Sequence, residues 1–152
     1  MTRAGAVPLV WLMREARDVY RDVIGRELQE AGCDDIPRNG AFVLARLDRL
    51  EHEPAFSSQA DVVASLGLTK QAASQLIDTL VLREYLERRV DPRDRRRMEV
   101  RLTGRGRTAT RAVQSAIERV DTALAEQLSA QQLSGLRAGL TAFGTIREQT
   151  LA

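Results

Sequence analysis

The stretch that most constrains this chain is RRVDPRDRRRMEVRLT, Arg88 to Thr103. Two short runs rich in apolar and β-branched residues, YLERRV and MEVRL, flank DPRDRRR, whose proline suits the first corner of a tight turn. The spacing predicts a β-hairpin with a charged tip. Arg88, Arg89, Arg93, Arg95, Arg96, Arg97 and Arg101 are opposed only by Asp91, Asp94 and Glu99, although the whole chain carries a formal net charge of just +2. A one-signed excess at a projecting tip points to a polyanion. Lys70 is the single lysine, and the planar arginine fork suits phosphates and guanine edges better than an ammonium does.

What precedes the hairpin sharpens the reading. LTKQAASQLIDTLVLREY places Ala73, Leu76, Ile77 and Leu80 on one helical face and Lys70, Gln71, Ser74, Gln75 and Asp78 on the other, with Thr69 as N-cap. Before it, QADVVASLG predicts a short helix capped by Ser58, with Asp61 as capping-box partner and Gly67 as the stop. A short helix, a glycine turn and a longer helix with a polar outer face form a helix-turn-helix pattern. Followed by a basic hairpin, it reads as a winged helix. The polar helix suits a major groove, and a protruding arginine suits a narrow, negative minor groove.

Amphipathic helices flank this unit. From Pro8 to about Ala31, the residues Leu9, Leu12, Met13, Ala16, Val19, Tyr20, Val23, Ile24 and Leu28 share a face, and Gly32 stops the helix. A second helix follows CDDIPRNG, with Phe42, Val43, Leu44 and Leu47 expected inward and an end before Pro54. After Thr103, a stripe of Ala109, Val113, Ile117, Val120, Leu124 and Leu128 leads to a capping box at Ser129 and Gln132, then Leu133, Leu136, Leu140 and Phe143. Terminal helices of this kind need a partner surface. A two-fold dimer is the simplest, and packing within one chain is the alternative.

The chain of 152 residues is 43% hydrophobic, which fits a domain with a real core. Its single cysteine, Cys33, forms no internal disulfide, and the expected compartment is the cytoplasm, without a membrane span or secretion signal. Cys33 lies in an acidic turn, which argues against a reactive sensor thiol, and with His52 as the one histidine no metal site of usual ligand count is expected. Trp11, Met13 and Tyr20 are more in keeping with core than with a ligand pocket. LTGRGRT lacks the ending of a phosphate-binding loop, and no nucleophile, histidine and acid form a recognisable set, so no enzyme and no cofactor are expected.

The central segment, SQADVVASLGLTKQAASQLIDTLVLREYLERRVDPRDRRRMEVRLTGRGR, resembles the MarR family of bacterial winged-helix transcriptional regulators. The most specific match is Leu86, Arg88, Asp94, Arg96 and the pair Leu102-Thr103. The resemblance implies a mainly α fold, a winged helix-turn-helix with a small β-hairpin wing plus N- and C-terminal dimerisation helices. It covers 1–152 as a single domain, with a DNA-binding lobe at about 36–105 and dimerisation helices at about 7–31 and 106–150. It further implies a homodimer on double-stranded DNA, responsive to a small-molecule effector of unspecified identity and acting as a repressor on a palindromic operator.

Carried over by position, Lys70, Gln71, Ser74 and Gln75 lie on the recognition helix, Arg88 stands at the wing's base, Arg95 and Arg96 lie at its tip with Arg96 reaching the minor groove, and Asp94 braces the wing. Two residues apart, Asp94 and Arg96 are expected to share a face, the carboxylate holding the guanidinium. Glu84 stands where the family often has glycine, so a less tight turn is expected before the wing. A protein-binding module with a cationic wing, without sequence-specific DNA binding, is the competing reading.

Overall fold

The computed structural model describes residues 7–37, 39–51, 63, 68–92 and 94–151. Along them run α1 (Leu9–Glu30), α2 (Gly40–Glu51), α3 (Lys70–Leu82), β1 (Leu86–Val90), β2 (Met98–Leu102), α4 (Gly104–Gln127) and α5 (Ala130–Leu151). The mainly α class with one small hairpin is the architecture expected of the sequence. The short helix with Ser58, Asp61 and Gly67 lies outside the described residues, apart from helical Val63.

The chain forms two compact units, Met1–Ile117 and Glu118–Ala152. In the first, Val43, Leu44 and Leu47 of α2, Ile77 and Leu80 of α3, Leu86, Val100 and Leu102 of the hairpin, and Ala109 and Val113 of α4 make one buried cluster with Ile24 and Leu28 of α1. Each large aliphatic side chain so buried contributes roughly 1.5–3 kcal/mol relative to exposure. The cluster therefore anchors the hairpin root to the helices that carry it.

Local chemistry explains the element ends. The hydroxyl of Thr69 accepts from the Ala72 N–H at 3.2 Å, as expected of an N-cap. Thr103 caps α4, accepting from the Gly106 N–H at 3.0 Å. At the start of α5 the capping box is reciprocal: the Ser129 N–H donates to Gln132 Oε1 at 2.9 Å, and the Gln132 N–H donates to Ser129 Oγ at 3.3 Å. Hairpin register pairs Leu86 with Leu102 and Val90 with Met98, so apolar pairs close both ends of the ladder.

Two expectations about inward faces change. Phe42 is 56% exposed, and Leu50 is buried in its place. Val43, Leu44, Leu47 and Leu50 already complete the inward stripe at helical spacing, and Phe42 falls one step off it. On α1 only Ile24 and Leu28 are buried, while Leu9, Leu12, Trp11 and Val19 are exposed, so its N-terminal half is an uncovered apolar surface and Trp11 is not core. In the second unit, Leu136, Leu140, Phe143 and Ile146 of α5 are likewise exposed. Each unit thus carries an exposed apolar face of its own.

Candidate nucleic-acid interface

Helix α3 buries Ala73, Ile77 and Leu80 and turns Lys70, Gln71 and Gln75 outward, with Ser74 half-buried on the same side. One turn separates Lys70 from Ser74 and Gln71 from Gln75, so the four form a single patch on the first turns of the helix. An extended amide or ammonium from such a patch reaches the base edges and phosphates of a groove. The structure places the sequence-predicted set together here.

The wing follows α3 after a turn. Arg95 and Arg96 are exposed at its tip, where the Asp91 N–H donates to the Arg97 carbonyl at 3.0 Å and the Arg97 N–H to the Asp94 carbonyl at 2.9 Å. The Asp94 carboxylate accepts from the Arg96 backbone N–H at 3.0 Å. Its hydrogen bond thus fixes the backbone of the turn, not the guanidinium as the spacing suggested. Short acidic side chains commonly bond the N–H two residues on, because that closes a turn-sized ring. Bracing at Asp94 acts on the loop that presents the arginines.

Arg88 has a different neighbourhood. Its guanidinium forms an ion pair with Asp78, on the third turn of α3. Opposed charges thus join α3 to β1, the first strand of the hairpin. On the other strand, Glu51 of α2 accepts from the Leu102 N–H at 3.0 Å and from Arg107 at 3.0 Å, with its side chain only 8% exposed. Glu99 is buried and takes both Nε and a terminal nitrogen of Arg101, at 3.1 and 2.9 Å. Both strands of the wing are therefore tied to the helical body by charge-assisted bonds.

The turn between α3 and β1 is as tight as one made by glycine. Glu84 adopts φ +61°, with its N–H donating to the Val81 carbonyl at 3.0 Å and the Tyr85 N–H to the Leu80 carbonyl at 2.9 Å. These are the two bonds of a Schellman ending. The expectation of a looser turn at Glu84 is thereby corrected: the hydrogen bonds are retained and the backbone carries the strain. Asp35, Tyr85, Arg105 and Glu51 support this surface through partners 22 to 70 residues away, where no sequence periodicity reaches.

Asp35, in the α1–α2 connection, accepts a hydrogen bond from the buried Tyr85 hydroxyl, and Arg105 donates to the same carboxylate oxygen at 2.9 Å. The Arg83 guanidinium donates to the Asp35 carbonyl. The Tyr85 hydrogen bond, aided by the Arg105 charge, holds the Asp35 carboxyl below its usual range despite some desolvation. Burial, then the bond to Asp35, pushes the Tyr85 phenol well above its ordinary value. Among the described residues no cluster of histidine, cysteine and carboxylates could hold a metal, and no helix is long and apolar enough to cross a membrane.

Comparison with known proteins agrees with this geometry. The model of the MarR family matches residues 35–97. No curated protein matches the chain in sequence. Among solved structures, the Staphylococcus aureus MepR–DNA complex aligns with a TM-score of 0.73 at 24% identity, over 92% of this chain and 98% of that one. S. aureus MepR bound to ethidium bromide aligns at 0.59 and 24% identity, over 91% and 96%. These similarities establish a shared fold.

Proposed function

We propose that the chain, whose residues 35–97 match the model of the MarR family, is a sequence-specific DNA-binding transcriptional regulator of that kind acting as a homodimer. The observation that carries this reading is the pairing, within one compact unit, of an outward polar face on α3 with an arginine-tipped wing tied to it by Asp78 and Arg88. Gln71 and Gln75 read base edges, adenine being the best amide partner, while Lys70 and Ser74 meet phosphates. Arg95 and Arg96 enter the flanking minor groove, and Asp94 holds the loop from which they project. Arg88 serves through its ion pair with Asp78, setting the wing against the helix.

The exposed apolar residues of α1 and α5 are the surfaces a second copy covers. The similar S. aureus MepR has been solved with DNA and with ethidium bromide, which supports both a DNA partner and a small-molecule effector here. We assign the protein no enzymatic role and place it in the cytoplasm, where its DNA lies.

Selection of bound duplexes from a random pool tests the proposal. A two-fold protein is expected to enrich a palindrome with half-sites about 10 base pairs apart, or a simple multiple of that. Enrichment of no sequence, with binding that only follows salt, would leave a cationic wing without specific readout.

A further inference from the structure

We propose that Asp35 is a positioning residue for the wing, holding the left-handed turn at Glu84 that sets the direction in which the hairpin leaves the recognition helix. This rests on the DNA-binding reading above. Glu84 is flanked by two residues that both reach the same short segment: Arg83 donates to the Asp35 carbonyl and Tyr85 to its carboxylate. Arg105 closes the group, donating to the Arg83 carbonyl at 2.7 Å and to Asp35 at 2.9 Å, with its guanidinium carbon 4.3 Å from the Tyr85 ring centroid. From the far side, Thr103 donates its hydroxyl to the Glu84 carbonyl at 2.6 Å and its N–H to the Tyr85 carbonyl at 3.1 Å.

A non-glycine residue at φ +61° persists only where its surroundings over-determine it. The Arg105–Asp35 pair alone does little, because both side chains are more than a third exposed and solvent screens them. The bond from Tyr85 is different. Its donor is fully buried, so losing the acceptor strands a polar group inside the core. Tyr85 therefore has one satisfied pose, and that pose fixes the residue next to the strained one. If Asp35 works in this way, its importance depends on the strain at Glu84. A glycine there removes the strain and with it the need for the clamp.

The test is a cycle of Asp35→Ala, Glu84→Gly and the double variant, read as affinity for a duplex selected by the parent protein, at matched salt and well below each melting temperature. Asp35→Ala is expected to weaken binding about tenfold, an equilibrium change of ordinary coupling size. Glu84→Gly alone is expected to change it less than about twofold, and the double variant to recover most of the loss. Effects that simply add, or Asp35→Ala within about twofold of the parent, overturn the proposal. Should Asp35→Ala fail to fold, Tyr85→Phe replaces it in the same cycle; because it strands no buried group, a smaller loss of about threefold is expected, again recovered in the double variant with Glu84→Gly. A parent that selects no duplex overturns the DNA-binding reading and this inference together, whereas a parent that selects one and an unaffected Asp35→Ala overturn the inference alone.

Discussion

Helices α1 and α3 end in the same hydrogen bonds, made by different residues. At the end of α1 the Cys33 N–H donates to the Leu28 carbonyl at 2.8 Å and the Gly32 N–H to the Gln29 carbonyl at 3.1 Å, with Gly32 at φ +68°. At the end of α3 the equivalent bonds surround Glu84 at φ +61°. Glycine takes this conformation without a steric penalty, whereas a residue with a Cβ gives up roughly 1–2 kcal/mol. The end of α1 is satisfied by local chemistry. The end of α3 is held by tertiary contacts, and it is the one that leads into the wing.

The largest expected effect comes from breaking the support of the second ending. A methyl on Gly106 would collide with the Tyr85 carbonyl oxygen, which is backbone and has no room to yield. Gly106→Ala is expected to lower unfolding free energy by about 3 kcal/mol, measured by denaturant melts. A change near zero would mean that Tyr85 is not seated against α4.

Next in size, exchanging the residue types at the two ends should give effects of opposite sign. Gly32→Ala forces a Cβ into the left-handed region and is expected to destabilise by about 1 kcal/mol. Glu84→Gly relieves strain but frees the unfolded chain, so the expected net gain is about 0.5 kcal/mol. Equal signs in chemical denaturation would remove the distinction drawn between the two turns.

The smallest effects follow pH and touch only the second ending. Asp35 titrates lower in the folded state than in the unfolded chain, so the unfolded state binds more protons in acid and Asp35 contributes stability that is lost as pH falls. The melting temperature of the parent should therefore exceed that of Asp35→Asn at neutral pH, and the gap should shrink below about pH 4, the ordinary aspartate value. Tyr85 has the reverse sign: its folded value is raised, so its contribution is intact below about pH 10 and lost as pH rises beyond that. Tyr85→Phe should melt at a temperature less sensitive to alkali than the parent. Identical alkaline profiles would detach the phenol from this turn's stability.

The sequence was informative wherever a signal is local. Thr69, Ser129 and Gln132 announce helix starts because a cap involves residues three apart, and all of them cap as expected. The inward stripe of α3 follows from periodicity, and the hairpin from two short apolar runs around a proline turn. Phe42 was misplaced because one-step errors in a helical phase are invisible without knowing where neighbouring elements pack. The partner of Asp94 was misassigned for a related reason. An acid two residues from an arginine can serve either its side chain or its N–H, and the turn's closure decides for the latter.

By itself, then, the sequence determined the helix-turn-hairpin order, the polar face of Lys70, Gln71, Ser74 and Gln75, and the cationic wing tip, since each rests on residues within a few positions of one another. Only the tertiary structure decided what holds that surface in place: Asp78 on Arg88, Glu51 on the edge of β2, and Asp35 on Tyr85 beside a strained Glu84. The physical reason is range. Capping and amphipathicity are written in local spacing, but a charge partner or a buried acceptor tens of residues away is chosen by packing, and packing is a property of the folded chain.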